Sequence, residues 1–249
     1  MSAAAIEVRG LHKRYGAKVA VDDIDLEIHH GEIFGILGRN GAGKTTTVES
    51  IAGLRRPDRG EIRVLGLDPK RDRPTLRRVL GVQLQKAALH YSLTVRENIR
   101  LYRSFYPEGR DPDELIRAMG LEEQRDTAFE DLSGGQQQRL SVALALVGLP
   151  RVAILDELTT GLDPDARRSI WKLVESMRDD GVTVVLVSHQ LDEVERLCDR
   201  VAIIDRGRVV AVERPSGLVD AAGLEPAASL EDAYLALTGA TLDETGADR

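Results

Sequence analysis

The chain has 249 residues, 42% hydrophobic and 30% charged, with a formal net charge of −7: enough apolar material for a substantial core, and neither the low hydrophobicity of disorder nor a low-complexity tract. The acidic balance argues against general nucleic-acid binding, and the single cysteine, Cys198, excludes an internal disulfide or a CxxC metal pair and fits a reducing compartment. Met1 to Arg14 lacks the apolar core of a secretory signal and no window approaches roughly 18 apolar residues, so the chain is expected to stay in the cytoplasm and to meet a membrane only through a partner.

In chain order, Ile6 to Val8 and then Ile24, Leu26 and Ile28, with acidic residues between, predict half-buried antiparallel strands. The continuous apolar run Ile33 to Leu37 leads into the glycine-rich Gly38 to Lys44, and a helical pattern follows to about Ala52, where Gly53 stops it. Between about Lys86 and Asp131 the pattern turns polar, helical and poor in strands, with Thr94-Val95-Arg96-Glu97 as a capping-box start. An inserted helical subdomain is therefore expected at about residues 87–150. Val152 to Leu155, Val182 to Val187 and Val201 to Ile204 read as buried strands separated by helices, the pattern of a parallel α/β core. Asp163-Pro164 supplies the N-cap and first residue of a helix running to about Asp180, before Gly181, and Leu230 to Leu237 predicts one more helix.

Chemistry concentrates in three places. Gly38-Arg39-Asn40-Gly41-Ala42-Gly43-Lys44-Thr45 is a complete GxxxxGK[ST] between a predicted strand and a predicted helix. Its glycines let backbone N–H groups curl around phosphate oxygens, Lys44 reaches the β and γ phosphates, the Thr45 hydroxyl can bind Mg²⁺ and Thr46 can donate one more phosphate bond. Composition alone would produce the pattern in about one chain in a hundred of this length; in this context it makes MgATP the expected ligand. Val152 to Leu155 delivers Asp156 and Glu157 to the end of a buried strand, which faces the ligand crevice of an α/β sheet. Asp156 is placed to hold Mg²⁺ and Glu157 to orient and polarise an attacking water. Leu132-Ser133-Gly134-Gly135-Gln136, continued by Gln137-Gln138-Arg139, is spaced both as an S-x-x-Q helix cap and as a glycine-opened helix N-terminus, an anion site.

With the P-loop, that last segment carries a resemblance whose joint chance is on the order of one in a million: over roughly residues 6–215 the chain resembles the nucleotide-binding subunits of ABC transporters. The resemblance implies a P-loop ABC ATPase fold of the α/β class, with an N-terminal antiparallel β subdomain, spanning residues 1–220 and followed by a tail at 221–249. It implies that Ser133, Gly134, Gly135 and Gln136 meet the γ-phosphate held by another subunit's P-loop, so that two copies, or one copy and a homologous ATPase subunit, sandwich two MgATP. It further implies that Tyr15 stacks on adenine, that Gln85 touches Mg²⁺ or water, and that His189 contacts the γ-phosphate. Gln83 competes with Gln85, which has the family's spacing to Leu93-Thr94-Val95. Asp163 resembles the aspartate that communicates across the dimer and reads equally as a helix N-cap.

Leu158 departs from the family, which commonly has Pro after the catalytic glutamate, and leaves that backbone less restrained. The tail Leu230 to Gly239 resembles that of drug-exporting and polysaccharide-exporting members. The expected partner is a transmembrane permease contacting Gln85 to Tyr106 from the inner face of the cell membrane, with no nucleic acid. The rival is a soluble ABC clamp working on ribosomes or DNA; the two cassettes of the first kind and the long heptad insertion of the second have no counterpart in this sequence, whereas the motifs are equally compatible with an ABC ATPase serving cell-wall or cluster-assembly work and with an uptake system. The basic clusters Arg55, Arg56, Arg59 and Lys70, Arg71, Arg73, Arg77, Arg78 read as solvated surface.

Overall fold

Residues 4–84, 90–225 and 227–239 are described by a computed structural model of the chain. It opens with two long antiparallel strands, β1 (Ala4–Tyr15) and β2 (Lys18–His29). Both outrun the short apolar runs that announce them, because register shifts around Gly10 and Asp23, whose φ values are 56° and 62°, interrupt the two-residue alternation. There follow β3 (Ile33–Leu37), α1 (Lys44–Ile51), β4 (Arg59–Val64), α2 (Arg73–Val79) and β5 (Leu80–Gln83). The stretch from β5 to the next strand holds α3 (Val95–Arg103), α4 (Pro112–Ala118) and α5 (Gly134–Leu146). The chain then alternates through β6 (Val152–Asp156), α6 (Pro164–Asp179), β7 (Thr183–Ser188), α7 (Leu191–Leu197) and β8 (Arg200–Asp205). It closes with β9 (Arg208–Glu213), α8 (Gly217–Ala221) and α9 (Leu230–Thr238).

Two sheets result: a three-stranded antiparallel one of order β2-β1-β4 and a six-stranded one of order β5-β6-β7-β3-β8-β9, parallel except for β9. Every residue of β3, β6 and β7 is buried, which is why these strands read as continuous apolar runs: both faces are covered. On one face Ile33, Leu37, Leu155 and Leu186 pack with α5, α6, α7 and α9. On the other, Phe34, Ile36, Ile154 and Val185 pack with Val48 and Ile51 of α1 and with the three-stranded sheet. The tail helix α9 belongs to the first of these cores through Leu230, Ala233 and Tyr234.

The parallel register decides what comes together. Leu37 pairs with Ser188 and Asp156 with Val187, so the glycine-rich loop after β3, the carboxylates after β6 and His189 after β7 all leave the same edge of the sheet.

At the start of α3 the expected capping box is formed: Glu97 N donates to Thr94 Oγ1 at 3.2 Å and Thr94 N donates to Glu97 Oε2 at 2.9 Å. Thr94→Ala should therefore lower stability by about 1 kcal/mol, read as a shift of the urea midpoint at constant m-value.

Candidate nucleotide-binding site

The loop after β3 requires glycine for steric reasons. A Cβ on Gly38 would lie 2.3 Å from the Ile204 carbonyl oxygen, and one on Gly43, whose φ is 110°, would lie 2.5 Å from that of Ala20. Gly43 is the N-cap of α1 and no side chain caps that helix, leaving its first amide groups to an external acceptor with the helix dipole behind them. A cleft of about 360 Å³ lies against this loop, lined by Tyr15, Asn40, Gly41, Gly43, Lys44, Thr45, Thr46 and Glu157 together with Lys18 and Ala20. Lys44 is only 5% exposed, and its ammonium donates to the carbonyls of Gly38 at 2.6 Å and Arg39 at 3.0 Å. Burial holds its pKa below the ordinary lysine value, against the opposing pull of the Glu157 and Asp156 carboxylates.

Asp156 ends β6 at 3% exposure. Burial, then the neighbouring Glu157 charge, pushes its pKa up to about 6, while Lys44 pulls it down. Its backbone N–H donates to Gln83 Oε1 at 3.0 Å, so Gln83 serves as a buried strand-to-strand tie. Gln85, the residue expected to touch the metal, lies outside the described residues. Glu157 occupies the left-handed region at φ 51°, a conformation that costs a non-glycine residue roughly 1–2 kcal/mol and turns the chain sharply as it leaves the strand. Its Oε1 lies 3.3 Å from His189 Nδ1. Leu158, where the family commonly has Pro, is 1% exposed in the larger core, so side-chain burial anchors this backbone in place of a ring. The next residue, Thr159, donates from its hydroxyl to the buried Glu193 of α7 at 2.9 Å. Burial raises the Glu193 pKa, and this contact ties the loop after Glu157 to the helix after His189.

Tyr15 is 39% exposed at the cleft. The Arg55 guanidinium lies 5.2 Å from the ring centroid and Lys13 Nζ 5.6 Å; Arg55 is paired with Glu49 on α1, and Lys13 with Asp58 at 2.8 Å. Arg55 lines a separate hollow and not the nucleotide cleft, so it backs the ring without filling the site. Arg55, expected on solvated surface, instead packs on this ring, and Glu49 holds it there; the cation–ring contact joins residues 40 positions apart, beyond any local pattern.

The segment Ser133 to Gln136 stands elsewhere. Ser133 is exposed and caps α5, with its N–H donating to Gln136 Oε1 at 2.8 Å and Gln136 N donating to Ser133 Oγ at 3.4 Å. Asp163 caps α6, accepting from Asp165 N at 3.0 Å and Ala166 N at 2.9 Å, and these bonds lower its pKa. Neither Asp163 nor any residue from Ser133 to Gln136 lines the cleft around Lys44.

A glycine-built phosphate cradle at the carboxyl edge of a parallel sheet, facing a buried lysine and a carboxylate pair, defines a P-loop nucleotide-hydrolysing protein. The family model for the ABC transporter matches residues 21–160, and the chain belongs to that family as an ATP-binding, ATP-hydrolysing subunit. It is 40% identical over 225 residues to the Nod factor export ATP-binding protein I of Rhizobium johnstonii, covering 88% of this chain and 72% of that one. To the daunorubicin/doxorubicin resistance ATP-binding protein DrrA of Streptomyces peucetius it is 43% identical over 212 residues, 83% of this chain and 64% of that protein. Among solved structures, an ATP-binding subunit of an ABC transporter superposes with a TM-score of 0.85 at 30% identity, covering 94% and 99% of the two chains. A dimeric post-hydrolysis structure of the ATP-binding cassette MJ0796 bound to ADP and Pi gives 0.77 at 28% identity, covering 84% of this chain and 98% of that one.

Two expectations follow from the geometry. Tyr15→Ala and Arg55→Ala should each weaken ATP binding and leave kcat nearly unchanged. The double variant should bind about as weakly as Tyr15→Ala, a coupling of roughly 0.5–1 kcal/mol, because the guanidinium acts through the ring; fluorescent-nucleotide titrations of the four proteins measure it. Burial raises the Asp156 pKa to about 6, above its ordinary value of 3.8, so the folded protein holds the extra proton and loses stability as pH rises through that window. Asp156→Asn should therefore make the nucleotide-free protein more stable by about 2 kcal/mol near pH 8 and change it little near pH 4, as followed by denaturant melts across pH.

Proposed function

We propose that the chain drives export through a separate membrane permease, with two ATPase subunits closing around two MgATP molecules, each held between the cradle of one subunit and Ser133 to Gln136 of the other. The observation that carries this reading is the separation within one chain: the cleft has phosphate-binding and water-orienting groups, while the exposed, glycine-opened start of α5 lies outside it. A second copy, or a homologous ATPase subunit, completes the site. In this reading the ATPase unit spans residues 1–220, with its helical subdomain at about 87–150 and the tail beyond, and sits at the cytoplasmic face through the permease. Among the described residues no helix is long and apolar enough to cross a membrane. Export agrees with the relatives' names, which specify Nod factor export and drug resistance.

Lys44 exchanges its carbonyl contacts for β and γ phosphate oxygens, and the N–H groups of Gly41 to Thr46, with Arg39 and Asn40 at the loop's shoulder, enclose the phosphates. Tyr15 stacks on the base. Glu157, with His189 beside it, orients the attacking water and draws on its proton as the γ-phosphoryl group leaves ADP; His189 also meets the γ-phosphate. Asp163 carries the state of one site toward the other across the closed interface. Thr45, Asp156 and Gln85 would hold Mg²⁺, which when bound neutralises phosphate charge; a hydroxyl, a carboxylate and an amide suit a cation that takes its other ligands from phosphate and water. The raised pKa of Asp156 fits this, since a buried carboxylate is poised for a positive partner.

A groove of about 660 Å³ between α2, α3 and α5 supports the permease reading. Its walls include Leu76, Tyr102 and Tyr106, with Leu54 and Phe105 exposed at 55% and 65% and Arg73, Arg77 and Arg78 at the rim. Large apolar groups exposed around a concave floor mark a protein-binding surface.

Glu157→Gln should retain ATP binding and lose about 10² to 10³ in turnover, or roughly 2.7–4 kcal/mol, so that MgATP shifts the variant from monomer to dimer in analytical ultracentrifugation. Adding Ser133→Arg should abolish that dimer while fluorescent-ATP binding persists. Dimerisation of the double variant equal to that of Glu157→Gln would overturn the composite site.

A further inference from the structure

The segment from Arg55 to Arg78 carries nine basic and four acidic side chains, a local excess of +5 in a chain whose net charge is −7. The fold gathers much of that excess around one hollow of about 630 Å³, between the end of α1, the start of β4 and the turn before α2. Arg56, Arg59, Arg63, Lys70, Arg71 and Arg73 line it, all of them exposed. Two of its three carboxylates are engaged: Asp58 accepts from Lys13 Nζ and Arg14 N, both at 2.8 Å, and Asp68 accepts from Lys70 N at 2.8 Å. Arg56, Arg59 and Lys70 form no ion pair among the described residues.

This hollow is continuous with the apolar groove assigned above to the permease. Gly53, Leu54 and Arg73 line both, and Leu54, more than half exposed, stands at the junction. We propose that the hollow docks the anionic headgroups of the bilayer surrounding the permease, so that the ATPase is held by protein contact in the groove and by lipid contact beside it. The proposal rests on the permease reading, which turns this face toward the membrane. Cations near an anionic leaflet gain about fivefold in partition each, within a Debye length of the surface, and several exposed cations around an open concavity suit a fluid array of phosphates. A single-stranded nucleic acid is the weaker fit, since the residues lining the hollow include no aromatic platform for bases.

The test is cosedimentation of the full chain with phosphatidylcholine vesicles, with and without phosphatidylglycerol. The wild-type chain should bind the anionic vesicles only, and binding should fall as salt rises. Arg56→Gln, Arg59→Gln and Lys70→Gln combined should reduce partitioning on the order of 100-fold, while leaving ATP affinity and basal hydrolysis unchanged, which also shows that the variant folds. Equal binding to both vesicle types, or wild-type partitioning of the triple variant, overturns the proposal. So does an RNA or DNA oligonucleotide that binds more tightly than the vesicles at the same salt and is lost in the triple variant, which would assign the hollow to nucleic acid. Phe105→Asp separates the two readings: it should abolish copurification of the permease and preserve vesicle binding. A permease retained by Phe105→Asp counts against the groove, and vesicle binding that fails with the groove intact counts against the hollow.

Discussion

One ammonium and two carboxylates, Lys44, Asp156 and Glu157, are gathered at the edge of a parallel sheet, Lys44 and Asp156 almost wholly out of water. Such a cluster is costly to form: burial opposes the charges of Lys44 and Asp156, the carboxylates support the lysine's charge, and the Glu157 charge opposes ionisation of Asp156. The rest of the architecture holds this cluster against that cost. Two apolar cores clamp the sheet from both faces, and the parallel register delivers three loops to one edge, held there by close packing of the strand side chains on both sides.

The surroundings of the cluster act as ties between elements that are distant in the chain. Gln83 holds the backbone of Asp156, Glu193 holds the loop after Glu157, and Arg55 joins the ring of Tyr15 to the helix that carries Lys44. Each tie uses a polar or charged group to fix a position within the site, which accounts for the burial of Gln83 and Glu193. Glu157 itself sits in a disfavoured backbone region with Leu158 buried beneath it. Packing therefore supplies the restraint on that turn, and the departure from proline leaves the carboxylate placed beside His189.

Helix N-termini appear in two states. The start of α1 has no side-chain cap and stands open for phosphate, whereas the starts of α5 and α6 are closed by their own Ser133 and Asp163. A capped helix retains its dipole and still has amides beyond the one its cap satisfies. The two readings of Ser133 and Asp163, local cap and contact across an interface, are therefore compatible: the cap orders the segment that a second subunit meets.

The sequence by itself determined the features that depend on neighbours a few positions apart. Gly38 to Thr45 specifies its own backbone path, Thr94 and Asp163 specify their caps, and the unbroken apolar runs of β3, β6 and β7 specify strands covered on both sides. Strands β4, β5 and β9 were not legible: β4 and β9 are partly exposed and mix charged with apolar residues, β5 has only four residues, and pairing with a neighbour already in place forms them. Only the tertiary structure decided that Arg55 backs Tyr15, that Gln83 serves Asp156, and that basic residues scattered over one segment surround a single hollow. The physical reason is range: hydrogen-bonded turns and caps are settled within about one helical turn of sequence, whereas charge, burial and cation–ring contacts act between side chains that only the sheet order brings within a few ångströms.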